Sequence, residues 1–474
     1  MKKQFFYAAL AIGMMSSCSS NDLPGNQAPE EQLPEEERVA IELGISSPNA
    51  KIEASTKGIG SVGGTGDAGD ENKWNGETLG VWMYEVKSDG SLAKAFEPGT
   101  TDTYIFDGLD FKAPTSTDKG KIEIFQAGSS TTHQVKYYPS KGKFAFYGYH
   151  IDDAGALVTP DYDNRKITGL SIDGTQDIMA ALTLPVNDEN YSPSEPVGST
   201  STLNWGTYAA QSFSAWAARR GIQPILNFEH KLARLRFFVK AGDPTAASKT
   251  WNNTQWEDRP LVDTEDEDTN PDASQAVKIT SIKIDGLQSA LDLSFVTEES
   301  IDKSKLEPNT TEVKTTFTLM GPDTDGEKKL LPLTHQAPTY WSHAGGTSKD
   351  AEGYKEKDQI GATMMFLPWA ADGTNTELKL KIGVEQAVLD TYGANEATDA
   401  TYKLKRDEMT TTLQATKVVT GGSPEAPTYA TAFEAGKSYD VTIIVYSYQR
   451  IEIEAQLSKW EKGGSIEVAP GDEF

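Results

Sequence analysis

Apolar and polar residues alternate in short runs along most of the chain. Val39, Ile41, Leu43 and Ile45 alternate with Ala40, Glu42 and Gly44. Ile122 and Ile124 stand in KIEIF, Phe144 and Phe146 in KFAFYGYH, and Leu235, Phe237 and Val239 in RLRFFVK. Ile279, Ile282 and Ile284 lie in KITSIKIDGL, and Leu378, Leu380, Ile382 and Val384 alternate with Lys379, Lys381 and Gly383. The last part reads YDVTIIVYSY and then RIEIEAQLSKW. Successive side chains of a strand point to opposite faces, so a period of two predicts strands with one buried face. Clusters of Gly, Asn, Asp and Pro between the runs predict turns. Helical spacing is scarce, and SFSAWAARRG (Ser212–Gly221) is the one short candidate. The pattern predicts an all-β chain built as two antiparallel sandwiches, residues 39–221 and 222–474, with their junction near Asn190–Gly221. Four polar insertions, Gly58–Asn75, Pro185–Ser201, Asp243–Ala276 and Thr391–Pro427, predict surface loops.

The front of the chain follows another rule. Lys2 and Lys3 precede an apolar run, Phe5–Met15, and the small residues Ser16 and Ser17 precede Cys18. That layout over residues 1–17 predicts a secretory signal peptide. The run is too short for a bilayer span, which takes about 20 apolar residues. Cys18 is the single cysteine, so the exported fold has no disulfide and no thiol chemistry. The small-small-Cys ending resembles the bacterial lipobox. That resemblance implies that Cys18 is the lipid attachment site and the first residue of the mature protein. Asn21–Glu37 is rich in Pro, Gln and Glu, so residues 18–38 predict a lipidated, disordered tether.

Charge narrows the partners. Lys plus Arg number 44 and Asp plus Glu 70, for a net charge of −26. Such an acidic surface argues against nucleic acid or anionic lipid as a partner. Nor does the chain present a catalytic constellation. The histidines His133, His150, His230, His335 and His343 show no paired-ligand spacing, so no metal site is expected. His230 sits in a strand pattern, where packing or a hydrogen bond is its expected role. Asp266, Asp268, Asn270 and Asp272 have calcium-loop spacing, but Pro271 and Val277 stand where such a loop needs Gly and Glu. A solvated acidic loop is the better reading. No phosphate-cradling or nucleophile-elbow motif occurs in a strand–helix setting, and no cofactor or enzyme activity is expected. Trp251, Trp256, Tyr340 and Trp341 offer rings for sugar stacking or, equally, caps for the sandwich ends.

Several stretches, taken in series, resemble the fimbrillins of Bacteroidales, the type V pilins and related lipoproteins. They are VAIELGI, the loop EASTKG, LGVWMY, YYPSKGKFAFYGYH, QDIMAALT, LNFEHKLARLRFFV, KITSIKIDGL, MMFLPW, FEAGKSYDVTIIV and IEIEAQLSKW. The resemblance runs in order over nearly the whole chain. It implies two transthyretin-like domains on a lipoprotein of the cell outer membrane, surface-exposed and part of a fimbrium that supports adhesion. It also implies assembly by strand donation: a protease cuts after the first strand, that strand leaves, and a strand of the next subunit fills its groove. Val39, Ile41, Leu43 and Ile45 have the pattern of the removable strand. Ile451, Ile453, Ala455 and Leu457 have that of a donor, as do Ile466 and Val468 in the tail. An ordinary edge strand and an ordinary last strand would have the same spacing.

One departure bears on processing. The family carries arginine in the loop after the first strand, whereas this loop offers Lys51 and Lys57, and Arg38 lies before the strand. An arginine-specific site reads the guanidinium fork rather than an ammonium. Three readings follow: an uncleaved anchor, cleavage at lysine, or a non-assembling lipoprotein. The expected partners are other fimbrial subunits, membrane lipid through Cys18, and host or glycan ligands. A non-polymerising, glycan-binding surface lipoprotein is the alternative.

Overall fold

Thr78–Val86 is apolar at nearly every position because both of its faces are covered. Leu79, Val81 and Met83 enter one core, and Trp82, Tyr84 and Val86 enter another. The strand therefore reads as a continuous run rather than an alternating one. The computed structural model describes most of residues 38–45, 74–183, 213–242, 277–321 and 358–458, with short strands at 249–251, 256–258, 335–336 and 340–341.

Thr78–Val86 lies inside the first sheet. From one end the order is Gly120–Lys121, Gly44–Ile45, Ile225–His230, Ile178–Leu182, Phe144–Ile151, Thr78–Val86, Asp107–Lys112 and Glu123–Ile124, with Leu92–Lys94 beside Thr78–Val86. The first and last members belong to one continuous stretch, 120–124. Gly120–Lys121 pairs with Gly44–Ile45, while Glu123–Ile124 pairs with Phe111–Lys112. The sheet therefore closes on itself around a core of Ile41, Leu43, Ile45, Trp74, Phe106, Phe146, Leu226 and Phe228, among others. Closure leaves no free edge there. Within this sheet the pairing of Gly44–Ile45 with Ile225–Leu226 is parallel, and the rest are antiparallel.

The outer face of this sheet is buried too. A four-stranded sheet, Pro160–Asp161, Lys166–Ser171, Ala290–Ser294 and Lys305–Pro308, packs on it. Its two central strands come from distant parts of the chain and pair at Ile167↔Leu293 and Leu170↔Leu291. Trp82 meets Phe295 edge-on at 4.9 Å, and Tyr84 donates a hydrogen bond to the Tyr162 carbonyl at 2.7 Å. Gly80 makes room for Tyr149: a Cβ there would stand 2.0 Å from the ring.

A third sheet is built on Ala233–Ala241, parallel to Ser438–Ser447, with Arg450–Ser458 beyond it. A fourth is built on Lys278–Gln288, Glu377–Thr391 and Thr401–Gln414. Leu235, Phe237, Val441 and Ile443 of one share a core with Ile282, Ile284, Leu380 and Ile382 of the other, continuous with Trp82 and Phe295. The strand just after the expected junction, Ile225–His230, pairs with Ile178–Leu182 in the first sheet. Three residues later the chain enters the third sheet at Ala233.

The expected helix is a single turn, Ala215–Ala218, capped by Ser214, whose side chain accepts from the Ala217 N–H. The loop expected over Thr391–Pro427 is corrected. Thr401–Gln414 is a 14-residue strand, followed by Val418–Ser423 and Ala426–Tyr429. Among the described residues Thr401–Gln414 is an edge strand, with most side chains from Lys403 to Thr412 at least partly in solvent, so it carries few apolar residues to announce it. Near its middle Arg406 Nε donates to buried Glu385 at 3.1 Å, and Lys278 Nζ approaches the same carboxylate at 3.4 Å. The Asp243–Ala276 insertion likewise holds two short strands, Lys249–Trp251 and Trp256–Asp258. Among the described residues, no helix is long and apolar enough to cross a membrane.

Candidate functional site

The alternating run at 39–45 is a stave of the closed sheet. Ile41, Leu43 and Ile45 are 2%, 1% and 1% exposed and point into the core. Val39 is half-buried and packs against the same cluster. On one flank the main chain bonds to two successive segments. Tyr138 N–H donates to the Val39 carbonyl at 2.9 Å and Ile41 N–H to the Lys136 carbonyl at 2.8 Å. Ile122 N–H then donates to the Leu43 carbonyl at 2.8 Å. On the other flank Gly44 N–H donates to the Pro224 carbonyl at 2.9 Å, and Gly44–Ile45 runs parallel to Ile225–Leu226. Gly44 is small for a reason, since a Cβ there would lie 3.2 Å from Ile225 Cγ1.

The outward side chain at Glu42 is held too, by two polar partners. Glu42 Oε1 accepts from Lys121 Nζ at 2.7 Å, and Oε2 accepts from Gln223 Nε2 at 2.7 Å. The two donors come from opposite flanks, so one carboxylate bridges the slot. The Lys121 hydrogen bond, opposed by burial and helped by Gln223, holds the Glu42 carboxyl below the usual range. Sequence reading missed Lys121 and Gln223 as partners. Lys121 opens the KIEIF run, but nothing local to either residue points to Glu42.

Magnitudes say what the slot requires. Burying three aliphatic side chains is worth about 1.5–3 kcal/mol each, or about 5–9 kcal/mol together. A whole domain is stable by only about 5–15 kcal/mol. Without this stave the slot would expose Leu226, Phe228, Ile122 and Tyr138 along a row of unpaired main-chain groups. Such a slot is a template for another strand with the same alternation.

The other predicted residues fall as follows. Arg38 stands at the mouth of the slot with its guanidinium 5.7 Å from the centre of the Tyr137 ring. Ile451, Ile453, Ala455 and Leu457 lie in Arg450–Ser458, which pairs along its length with Ser438–Ser447 and meets Val418–Val419 on its other side. That strand is a built-in member of its own sheet. Cys18, Lys51, Lys57, Ile466 and Val468 lie outside the described residues, as do the acidic loop 263–272 and His343. The structure thus brings the first-strand residues together in one slot and sets Ile451–Leu457 in a different sheet.

A buried polar cluster lies where the chain passes between sheets. His230 Nδ1 meets the Asp177 carboxylate at 2.5 Å, matching the expected hydrogen-bonding role. Asp177 N–H donates to Asp152 at 3.2 Å, and His150 Nε2 meets Asp152 at 3.1 Å. His150 Nδ1 faces the Thr78 carbonyl at 3.0 Å. Both ring nitrogens of His150 therefore face acceptors, and only the imidazolium donates to both. Burial works against that charge, but Asp152 and the Thr78 carbonyl outweigh it and push the pKa up to about 9. Among the described residues no group of three or more His, Cys, Asp or Glu is arranged to hold a metal. A nearby cleft of about 440 Å³ is lined by Glu229, His230, Lys231, Lys305 and Leu306.

No protein-family profile matches the chain, and no curated protein matches it. Solved structures do. One is a candidate cell adhesion protein from Bacteroides uniformis: 13% identity, 90% of this chain, 100% of that one, TM-score 0.39. Another is the tip fimbrial protein Mfa3 from Porphyromonas gingivalis: 9% identity, 89% of this chain, 100% of that one, TM-score 0.29. A third is the fimbrial anchor protein Mfa2 from the same organism: 9% identity, 88% of this chain, 98% of that one, TM-score 0.26. The two Porphyromonas proteins are fimbrial by description, as is the group that the sequence resembles. Likeness at this level assigns this chain neither a role nor a partner.

Proposed function

We propose that this protein is a structural subunit of a surface fimbria, exported as a lipoprotein through Cys18 and joined to its neighbours by strand exchange. Its work is mechanical rather than catalytic. In this reading Val39–Ile45 is a placeholder that keeps the precursor folded and monomeric until it is removed. The tether 18–38 leads straight into that placeholder, so one cut beyond Ile45 would release the lipid anchor and open the slot together.

The observation that carries the reading is the construction of the slot. The seven-residue segment Val39–Ile45 is hydrogen-bonded on both flanks and buries Ile41, Leu43 and Ile45. The next described residue is Trp74. A short, terminal, two-sided stave is the element of a closed sheet that another strand replaces most readily. Arg38 supports a cut elsewhere than at itself. Val39, the residue after it, is bonded through its carbonyl to Tyr138, and cleavage at Arg38 would leave the stave in place. Lys51 and Lys57 stand beyond Ile45, on the side where a cut frees the strand.

The test treats the full mature chain with a lysine-specific protease under native conditions, then separates it without boiling. A strand-exchanging subunit gives ladders that resist detergent and lack residues 39–45. A monomer that retains Val39–Ile45 after cleavage overturns the proposal and favours the non-polymerising lipoprotein.

A further inference from the structure

We infer that the slot selects its strand by reading one acidic side chain and one small one. The strand that fits is Ile466–Ala469 of a second copy of this chain. The inference rests on the strand-exchange reading above and concerns what gives the exchange its register and its choice of donor.

The resident strand defines the requirement. Ile41, Leu43 and Ile45 fill the apolar floor, so every second position is apolar. Between the first two of these, Glu42 spans the slot, one oxygen on Lys121 and the other on Gln223. Each oxygen takes a donor from a different flank. A neutral side chain would lose the charge on Lys121, and a basic one would oppose it. Between the second and third, Gly44 faces Ile225 with no room to spare, since a Cβ there would lie at 3.2 Å. The slot therefore asks for the pattern apolar, acidic, apolar, small.

Two C-terminal segments have the alternation of a donor. Ile451-Glu452-Ile453-Glu454 meets the first three conditions and fails at the fourth, where Glu454 would put a long charged side chain against Ile225. Shifting it by two residues places Gln456 there, with the same result. Those residues are in any case committed to their own sheet. Ile466-Glu467-Val468-Ala469 meets all four and repeats Ile41-Glu42-Leu43-Gly44 with two conservative changes. Alanine at the small position adds only one methyl, at 3.2 Å from Ile225 Cγ1, and asks that side chain to move by a few tenths of an ångström. Pro470 follows where Ile45 stands, and proline ends strand pairing there because it has no N–H to donate. Charge complementarity between Glu467 and Lys121 thus fixes the register. A slip by one residue would turn the apolar side chains to solvent.

The test is a charge exchange in the full mature chain, read as the initial rate at which detergent-resistant ladders grow after cleavage by the lysine-specific protease. The first variant is Glu467→Lys, at a position outside the described residues. It should slow ladder growth by about five-fold or more, the factor for roughly 1 kcal/mol. Ala469→Leu should do the same through bulk alone. Lys121→Glu, made together with Glu42→Lys so that the resident strand keeps its pair, should accept wild-type tails poorly. Mixed with Glu467→Lys chains it should recover most of the wild-type rate. Wild-type rates in both Glu467→Lys and Ala469→Leu would overturn the inference while leaving strand exchange intact. Absence of ladders from the wild-type chain would overturn both.

Discussion

Replacing Leu43 by alanine separates a structural stave from an incidental terminal segment. Leu43 is 1% exposed and sits in the core with Ile41, Ile45, Ile122 and Leu226. Truncating a buried leucine costs about 2–5 kcal/mol, from lost transfer free energy and the cavity left behind. The neighbours here are strands of a closed sheet, which relax little, so the upper half of that range is expected. The loss should fall mostly on local opening of the stave, since the strand is short and is the first of the described strands. Two measurements read it. Denaturant unfolding of the chain should show an earlier first transition. Hydrogen exchange should speed up at the Ile41, Gly44, Ile122 and Tyr138 amides, which bond across the stave's two flanks. A change below about 0.5 kcal/mol, typical of a surface site, with unaltered exchange at those amides would refute the argument that this strand completes the core.

Three further outcomes follow. His150 has its pKa raised to about 9. A raised folded-state value means that its stabilisation is fully present below about 6.5 and is lost as the pH rises through about 9, a change on the order of 3 kcal/mol. Unfolding curves between pH 6.5 and 10 should show that fall, and Asp152→Asn should flatten it. Gly80→Ala would drive a methyl into the Tyr149 ring, and thermal unfolding should register a loss of about 1–3 kcal/mol or more. Glu42→Ala removes a partly exposed ion pair and should cost no more than about 1 kcal/mol in the same measurement, well below Leu43→Ala. Because the Glu42 pKa is lowered, what that pair contributes is present above the ordinary carboxylate value and is lost as the pH falls through the depressed one.

Much of the fold was legible because one physical signal, alternation, marks strands with one wet face. Ile225–His230 and Arg450–Ser458 read directly in this way. Phe144–Ile151, like Thr78–Val86, is buried on both faces, and its aromatic run still reads as strand. Thr401–Gln414 did not, because an exposed edge strand does not need an apolar face. Closure of the first sheet through 120–124 was also hidden, since it depends on Gly44–Ile45 meeting Gly120–Lys121 across 75 residues or more of chain. The same holds for the four-stranded sheet, assembled from residues near 167 and near 292. At the slot, the apolar positions 41, 43 and 45 were visible in the sequence. The Lys121 and Gln223 clamp on Glu42 was not, because a charge pair 79 residues apart has no local signature.

The most direct test of the central claim is the amino terminus of the protein as it stands in assembled material on the cell surface, read by intact mass and terminal peptide mapping. Strand exchange predicts a start in the stretch after Ile45, at or near Gly58, with Val39–Ile45 absent from the assembled chain. A chain that begins at lipidated Cys18 or at Val39, with its own first strand still present, would contradict it.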